Sequence, residues 1–446
     1  MARKISMKLI PALMLVAFSG AASASGFQLL EQNASGIGNA FAGSAALAEN
    51  ASTIYFNPAG MTQLQDREVS GGIAAIGPSF RFNDKGSTPG AAYPNGLAGT
   101  GNGGNAGGWA AVPNGYLSWA LNKDLYVGIG VGAPFGLKTE YDKPWVGAAQ
   151  STMFEVKTYN VNPSIAYRVN DQVSLGAGLN WQRVEATYER QVGTSAFLVP
   201  AATIVASPLK LTLDDEAWGW NVGALFTLSP STKVGVSYRS AIQYHTTGKI
   251  DVTGVGVGGA ALSTAGSSGA KADLKLPDTF SLAVTQQLSD RWQMLGDVTW
   301  TGWSSIPTVN IVRTTATTIA AAGSTAQILD TDFKDTWRVG LGATYKYNDA
   351  WKLKYGVAYD QTPVKGASTR LVSMPDNDRV WLSFGTQWTP NKSSALDIGV
   401  TYIHIKDSSI DNNQLVPVPT SANRGRVTGE YTGNIWIFGA QYSMSF

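Results

Sequence analysis

From about residue 67 onward, apolar and polar side chains alternate with a period of two, which indicates β-strands with one face in an apolar environment. The segment 337–347 sets Trp337, Leu341 and Tyr347 on one face, opposite small or charged residues. The same arrangement recurs in 173–182, 351–360 and 436–446. Aromatic residues stand at the ends of the apolar faces and aliphatic residues in the middle. This distribution favours strands that cross a membrane between aromatic girdles over the strands of a soluble sandwich.

Turn signals divide this region into fourteen candidate strands. They lie near 67–82, 112–121, 125–138, 156–169, 173–190, 217–228, 233–249, 270–288, 292–306, 333–347, 351–362, 378–389, 395–406 and 429–446. Short links alternate with long ones, as periplasmic turns and extracellular loops do, and the strand number is even. The sequence therefore predicts an all-β protein, a 14-stranded antiparallel transmembrane β-barrel. We expect Phe446, at the end of the last strand, to be its assembly signal.

The first residues predict export from the cytoplasm. Basic residues precede an apolar run from Leu9 to Phe18, which is too short to span a bilayer. Ala22-Ser23-Ala24 matches a cleavage signal, so 1–24 is predicted to be a signal peptide. The next part, 25–66, is rich in small residues, lacks strand-like alternation and is compatible with a short helix over 38–50.

Composition excludes several classes of protein. Charged residues make up 14% of the chain and the net charge is +2, so neither a basic nucleic-acid surface nor an acidic tail is present. There are no cysteines and two histidines, His245 and His404, neither beside a nucleophile motif such as G-x-S-x-G. We therefore expect no enzyme, no metal site and no cofactor.

Several motifs resemble the FadL family of outer-membrane transporters of long-chain fatty acids and other hydrophobic compounds (OMPP1/FadL/TodX). They are Ser25-Gly26-Phe27-Gln28-Leu29, Asn57-Pro58-Ala59-Gly60-Met61, Gly132-Ala133-Pro134-Phe135-Gly136-Leu137, Leu276-Pro277-Asp278 and Met374-Pro375-Asp376-Asn377-Asp378-Arg379. Their order covers nearly all of 25–446. The resemblance implies a monomeric barrel, 67–446, whose lumen is plugged by an N-terminal hatch domain, 25–66, with Asn57, Pro58 and Ala59 as its motif. It also implies capture of a ligand at outer loops and lateral release beside a kinked third strand.

The kink has a physical basis in the residues Gly132, Ala133, Pro134, Phe135 and Gly136. Proline cannot donate to a sheet ladder, and glycines mark bulges. We expect a local break in strand pairing here, which a closed barrel in lipid otherwise avoids. The simpler alternative is an ordinary irregularity of the sheet.

An apolar loop is predicted to capture the ligand. The stretch 195–213 is too apolar for a solvated loop, and an exposed apolar patch usually marks a binding surface; the alternative is a loop folded back as a plug. The candidate ligand-binding residues are Phe27, Phe197, Leu198, Val199, Ile204, Val205 and Leu209.

Arg190 is the candidate partner of a ligand carboxylate, since it matches a family position associated with the polar end of the ligand. The second basic residue expected with it is absent from 328–332, which is apolar and acidic; this departure keeps uncharged aromatic ligands open. Asp360 and Arg379 fall on lumen-facing positions and are predicted to form an ion pair.

The sequence thus favours transport of hydrophobic small molecules across the bacterial outer membrane, with long-chain fatty acids ahead of monoaromatic hydrocarbons such as toluene. A general diffusion porin is disfavoured because the lumen is lightly charged and has a candidate plug. A lipid-degrading enzyme would need one of the two histidines, and an adhesin or phage-receptor role of the loops stays open. The expected partners are the ligand, outer-membrane lipid and the barrel assembly machinery.

Overall fold

The computed structural model describes residues 26–89, 101–193, 206–253, 266–317, 320–415 and 423–446. The predicted signal peptide and its cleavage site lie outside these residues. Within them, no helix has the length and apolar character needed to cross a membrane.

Strands dominate the described residues and form one antiparallel sheet. Their bounds are β1 Arg67–Asp84, β2 Ala110–Ala120, β3 Leu125–Gly132, β4 Gly136–Glu140, β5 Met153–Arg168, β6 Val173–Gly193, β7 Ala206–Ser229, β8 Thr232–Arg239, β9 Ile242–Val252, β10 Ser268–Leu276, β11 Thr279–Gln287, β12 Trp292–Thr301, β13 Thr308–Arg313, β14 Thr325–Asp330, β15 Thr336–Lys346, β16 Trp351–Asp360, β17 Arg379–Asn391, β18 Ser394–Gln414 and β19 Gly425–Ser445. The first strand pairs with both β2 and β19, so the sheet is closed.

Five of the barrel strands are each interrupted once. The pairs of segments are β3 with β4, β8 with β9, β10 with β11, β12 with β13 and β14 with β15. The nineteen segments in the described residues therefore make fourteen strands. The predicted 14-stranded antiparallel barrel is confirmed.

An apolar band with aromatic borders surrounds the barrel. On β15, Leu341 is 57% exposed; it lies between the exposed rings of Trp337 and of Tyr347, which directly follows the strand. Ten residues of strand extend about 34 Å, which a tilt of about 40° reduces to about 26 Å across the membrane. Neighbouring strands continue both borders, with Trp300 opposite Trp337 above and Trp351 opposite Trp388 below. This band is the membrane-facing surface of the barrel.

Polarity is inverted in the parts of β6 and β7 that extend above the upper aromatic border. Up to Trp181, apolar side chains of β6 face outward and polar ones such as Ser174 and Asn180 face the lumen. Beyond it, Arg183 and Glu185 face outward, while Val184 is fully buried inside. The outer face of β6 thus contacts lipid below Trp181 and water above it, while the register of the strand stays the same.

The N-terminal segment, 26–66, lies against the inner wall of the barrel and is almost entirely buried. It contains two short α-helices, α1 (Ser44–Leu47) and α2 (Thr53–Phe56), and 3₁₀ turns at Ile37–Asn39 and Pro58–Gln63. The expected helix over 38–50 is wrong. Left-handed backbone at Ala40, Phe41, Gly43 and Ala48 breaks this stretch into separate turns, because an L-residue with positive φ cannot continue a right-handed helix.

Candidate functional site

An apolar cluster fills the barrel above the upper aromatic border. It is formed by inward-facing residues of five strand segments, and we call it the upper cluster. Its buried members are Tyr188, Val192, Leu209, Leu211, Leu213, Ile250, Val252, Ala270, Ala272 and Ile311. Leu209 therefore belongs to strand β7 and not to the apolar loop in which the sequence placed it. The alternation of Leu209, Leu211 and Leu213 with polar residues is that of a strand whose inner face is the apolar one.

Two guanidinium groups lie at the upper cluster. Arg190, on β6, is 4% exposed; its Nε donates to Gln327 Oε1 over 3.1 Å. Arg313, at the end of β13, is half-buried and its Nη1 donates to Ser268 Oγ (2.7 Å) and Gly266 O (2.9 Å). The two positive charges are close enough to repel each other.

Among the described residues, neither guanidinium forms an ion pair with a carboxylate. Their hydrogen-bond acceptors there are all neutral groups. Buried charges in proteins are normally paired. Two cations beside an apolar cluster therefore make a site for an anionic group attached to an apolar chain. Sequence reasoning missed Arg313, because it searched 328–332 for the second basic residue; the neighbour of Arg190 in this part of the chain is the neutral Gln327, just before that stretch.

A second apolar cluster, the lower cluster, surrounds Phe27 of the N-terminal segment. The Phe27 ring lies 4.9 Å from that of Trp303 and 6.0 Å from that of Phe135, measured between centroids. The remaining buried members are Leu137, Val156, Val184, Ile242, Tyr244, Leu276, Ile306, Phe333, Val364 and Met374. Phe154, Ala186 and Val309 pack against both clusters. An apolar column thus runs from Arg190 down to Phe27.

The wall is interrupted where β3 ends. The ladder with β5 passes from Gly132↔Asn160 to Gly136↔Lys157, so three residues face two, the signature of a bulge. The carbonyl of Pro134 accepts a hydrogen bond from Leu29 N, and Gly136 N donates to Phe27 O, each over 2.8 Å. The bulge therefore pairs with the N-terminal segment.

Beyond the bulge, β4 forms a hydrogen-bonded ladder with β5, but among the described strands it forms none with β2. The hydrogen bonding of the wall is thus interrupted between β2 and β4 in the described residues, and we call this interruption the wall opening. Gly132, Ala133, Pro134, Phe135 and Gly136 all lie at it, and Phe135 also belongs to the lower cluster. The apolar column from Arg190 therefore reaches the wall opening.

The predicted hatch motif holds two parts of the N-terminal segment together against the wall. Asn57 is fully buried; its Nδ2 donates to Ala45 O (2.7 Å) and to Ala224 O of β7 (3.0 Å), and its Oδ1 accepts from Ala59 N. Pro58 opens the following 3₁₀ turn, where its missing N–H costs nothing.

Buried ions also join the N-terminal segment to the wall. Lys354 of β16 is 1% exposed, and its Nζ donates to Glu49 Oε2 (2.7 Å) and Asp397 Oδ1 (2.9 Å). Arg338 of β15 forms an ion pair with Asp297 and also donates to Ala40 O. The N-terminal segment is thus held by charges that the barrel wall supplies.

The predicted pair Asp360 and Arg379 occupies opposite positions on β16 and β17, and both residues are buried. Arg379 forms an ion pair with Asp376, which accepts a hydrogen bond from Gly26 N over 3.0 Å. The structure therefore brings the predicted pair together near the start of the described chain.

Glu31 is an ionisable group of the N-terminal segment at this polar wall. Burial raises its pKa from 4.5 to about 7, although its own backbone N–H, Arg379 and Arg338 favour the charged form, and Asp360 opposes it. Between these two values the docked segment binds the proton more tightly than the undocked one. The stabilisation is complete below pH 4.5 and is lost as the pH rises through about 7.

We therefore expect docking of the N-terminal segment to weaken by roughly 3 kcal/mol between pH 4.5 and 7, with little change above that range. Hydrogen exchange of residues 26–66 at pH 5 and pH 8 measures this difference. In Glu31→Gln, which cannot ionise, the pH dependence should become smaller, and the remainder is expected from Glu68, which accepts a hydrogen bond from Ala51 N of the segment. An equal pH dependence in both proteins would assign it to other groups.

The remaining predicted residues are placed as follows. Phe197, Leu198, Val199, Ile204 and Val205 lie outside the described residues. Phe446 is 64% exposed, and its backbone N–H donates to Arg67 O, which joins the end of the chain to β1. His245 is exposed beside Asp273, and no group of three metal-ligating residues occurs in the described parts of the chain.

A closed barrel with an apolar outer band, a packed lumen and an interior apolar column defines a transport protein of the bacterial outer membrane. The chain belongs to the family of outer membrane protein transport proteins (OMPP1/FadL/TodX), whose model matches residues 15–446. The predicted family is thus confirmed. Its members are transporters rather than enzymes.

Similar proteins extend over nearly the whole chain. The long-chain fatty acid transport protein of Salmonella typhi is 29% identical over 94% of both chains. A solved FadL homologue of Pseudomonas aeruginosa has a TM-score of 0.82 at 23% identity, covering 95% of this chain and all of that one. The P. putida toluene transporter TodX has a TM-score of 0.67 at 16% identity, covering 89% and 94%. At these identities the two structures support the fold alone.

Proposed function

We propose that this protein carries long-chain fatty acids across the outer membrane. The observation that supports this most directly is the pair of guanidinium groups, Arg190 and Arg313, at the upper cluster. A fatty acid has a carboxylate for these cations and a chain that gains about 0.8 kcal/mol per buried CH₂. The similar protein of Salmonella typhi bears the name of a long-chain fatty acid transporter.

The proposed route follows the apolar column. The ligand binds at the upper cluster and moves into the lower cluster when Phe27 gives way. Phe197, Leu198, Val199, Ile204 and Val205 are proposed to aid its capture. It leaves sideways through the wall opening at Gly132–Gly136. An apolar path is needed because a fatty acid in a water-filled pore would expose its whole chain.

In this proposal the N-terminal segment acts as the hatch that closes the lumen. Asn57 and the ion pairs of Lys354 and Arg338 hold it, while the bulge pairs with its first residues. The protein acts as a monomer. Phe446 is the signal for the barrel assembly machinery. A packed lumen also disfavours a general diffusion porin, so we expect no large steady conductance in planar bilayers.

The second candidate is uptake of monoaromatic hydrocarbons. It is favoured by the lower cluster, which is rich in aromatic rings, and by the fold shared with the toluene transporter TodX. An uncharged ligand leaves Arg190 and Arg313 without a partner, and this is why we place it second.

Competitive binding of oleate and toluene to the purified protein distinguishes the two functions. We expect oleate to bind and toluene to displace it weakly. Uptake of both compounds by cells that lack their own transporter provides the second measurement. Preferential binding and uptake of toluene would replace fatty acid transport with the second candidate.

A further inference from the structure

One lip of the wall opening belongs to strand β2. The ladder between β2 and β3 ends at Gly115↔Val131, whereas β2 continues to pair with β1 up to Ala110. Asn114 is thus the first residue above the last shared rung, and its side chain faces inward with those of Val112 and Tyr116. The polar side chain at the inner edge of this lip is therefore that of Asn114.

The amide of Asn114 is buried and unpaired. The residue is 6% exposed, and neither Oδ1 nor Nδ2 forms a hydrogen bond with the described residues. Its Oδ1 lies over Gly72 of β1, where an added Cβ would be 3.2 Å away. A buried donor and acceptor without partners is unfavourable and requires a specific explanation.

A second amide, that of Gln32, lies on the other side of the wall opening. Its Nε2 donates to Ala133 O (2.7 Å), while its Oε1 is buried without a partner in the described structure, close to Gly132. Tyr116 donates to Gln32 O over 2.6 Å, and Tyr116 is the neighbour of Asn114 on the same face, about 7 Å along the strand. We call Asn114 and Gln32 the amide sill.

We infer that the amide sill binds the carboxylic acid head of the ligand, in its neutral form, as the ligand leaves through the wall opening. The inference rests on the proposed function. An ionised carboxylate cannot enter hydrocarbon without a very large desolvation penalty, so the head must first accept a proton from water. The neutral acid has one O–H donor and one C=O acceptor, and the unpaired acceptor and donor of Asn114 match them.

This match selects among ligands of similar shape. A methyl ester retains the acceptor but has no O–H donor, and a hydrocarbon has neither group. An ionised carboxylate could use Nδ2 but would face Oδ1 as a second acceptor. The sill therefore acts on the departing acid, whereas the guanidinium groups of the upper cluster act on the entering carboxylate.

Asn114→Leu is the direct test, because Asn114 has no hydrogen bond to a described residue that the substitution would break. In cells without another transporter, initial uptake of oleic acid should fall about three- to tenfold, which corresponds to one or two neutral hydrogen bonds. Uptake of methyl oleate should fall less, and uptake of toluene should not change. Equilibrium binding of oleate to the purified protein should also be unchanged, since binding reports the upper cluster.

Ser118→Ala is the matched control. Ser118 is another fully buried, inward-facing residue of β2 with an unpaired hydroxyl among the described residues, but it lies opposite Gly128 in the paired part of the wall. It should leave all three ligands unaffected. Heat-modifiable mobility in gels establishes that each variant has assembled, and Asn114→Ala replaces Asn114→Leu if the larger side chain prevents assembly.

Two results would overturn the inference. Equal loss of all three ligands would give Asn114 a packing role, and no loss of any would make it a site for water only. Either result, with normal uptake of oleic acid by the unsubstituted protein, leaves the proposed function intact. An unsubstituted protein that carries toluene but no oleic acid would overturn both.

Discussion

Replacing Arg190 by alanine is expected to weaken oleate binding by about 30-fold and to leave toluene binding unchanged. Removing one partner of a buried, hydrogen-bonded charge pair costs about 2–5 kcal/mol. We expect the lower end, about 2 kcal/mol or 30-fold, because Arg313 remains beside the site. The double variant with Arg313→Ala should lose at least another factor of ten. Titration of oleate binding to the purified variants measures both steps.

Arg183→Ala is the control for this series. Arg183 lies on the same strand but faces outward, where it pairs with Glu185, Asp214 and Glu216, so its loss should not affect binding. Arg190→Lys should recover part of the affinity, since lysine keeps the charge but not the planar fork. Unchanged oleate affinity in the double variant would mean that the carboxylate binds elsewhere.

Replacing Lys354 by methionine is expected to destabilise docking of the N-terminal segment by about 3–5 kcal/mol, the usual result of removing one partner of a buried ion pair. Burial disfavours the charge of Glu49, but Lys354 and Lys352 outweigh this effect and keep the pKa of Glu49 below its ordinary value. Without Lys354, Glu49 and Asp397 would be two buried like charges. Protease cleavage within 26–66 and ion conductance in planar bilayers should both increase.

Lys352→Met tests whether any lost lysine of β16 has this effect. Lys352 precedes Lys354 by two residues, so both side chains face the lumen, but Lys352 lies at the periplasmic mouth. Only a small change in docking of the N-terminal segment is therefore expected. Adding Glu49→Gln and Asp397→Asn to Lys354→Met should restore docking, because no unpaired charge then remains. Equal effects of the two lysine variants would contradict a specific role of the buried ion pair.

The strands that cross the membrane could be predicted from the sequence because each reports its surroundings locally. Trp337, Leu341 and Tyr347 meet an aromatic border, a lipid band and a second border, and the alternation between them fixes which face is outside. The strand count required only that this pattern be repeated. The N-terminal segment gave no such signal, since it is shaped by contacts with distant strands. Ala40 and Phe41, for example, take left-handed conformations that their side chains do not favour.

The candidate site was predicted only in part, for two physical reasons. Leu209 was placed in a loop because the inner face of β7 becomes the apolar one above the membrane, which inverts the expected pattern. Arg313 was overlooked because its position depends on pairing among β9, β10 and β13, far apart in the sequence. Arg190 was found because it matches a family position. The roles of all these residues in binding remain predictions.

The inverted polarity of β6 and β7 means that two different environments constrain the sequence of each strand. On β6, lipid constrains the outward-facing residues below Trp181, and above it the strand must enclose an apolar interior in water. Interruptions at 240–241, 277–278, 302–307 and 331–335 divide other strands of the same wall into lower and upper segments. The upper part can therefore change its lining while the membrane-embedded part stays constant. Such a modular barrel can acquire new ligands by exchange of its upper half alone, which makes that half the natural region to transplant between relatives.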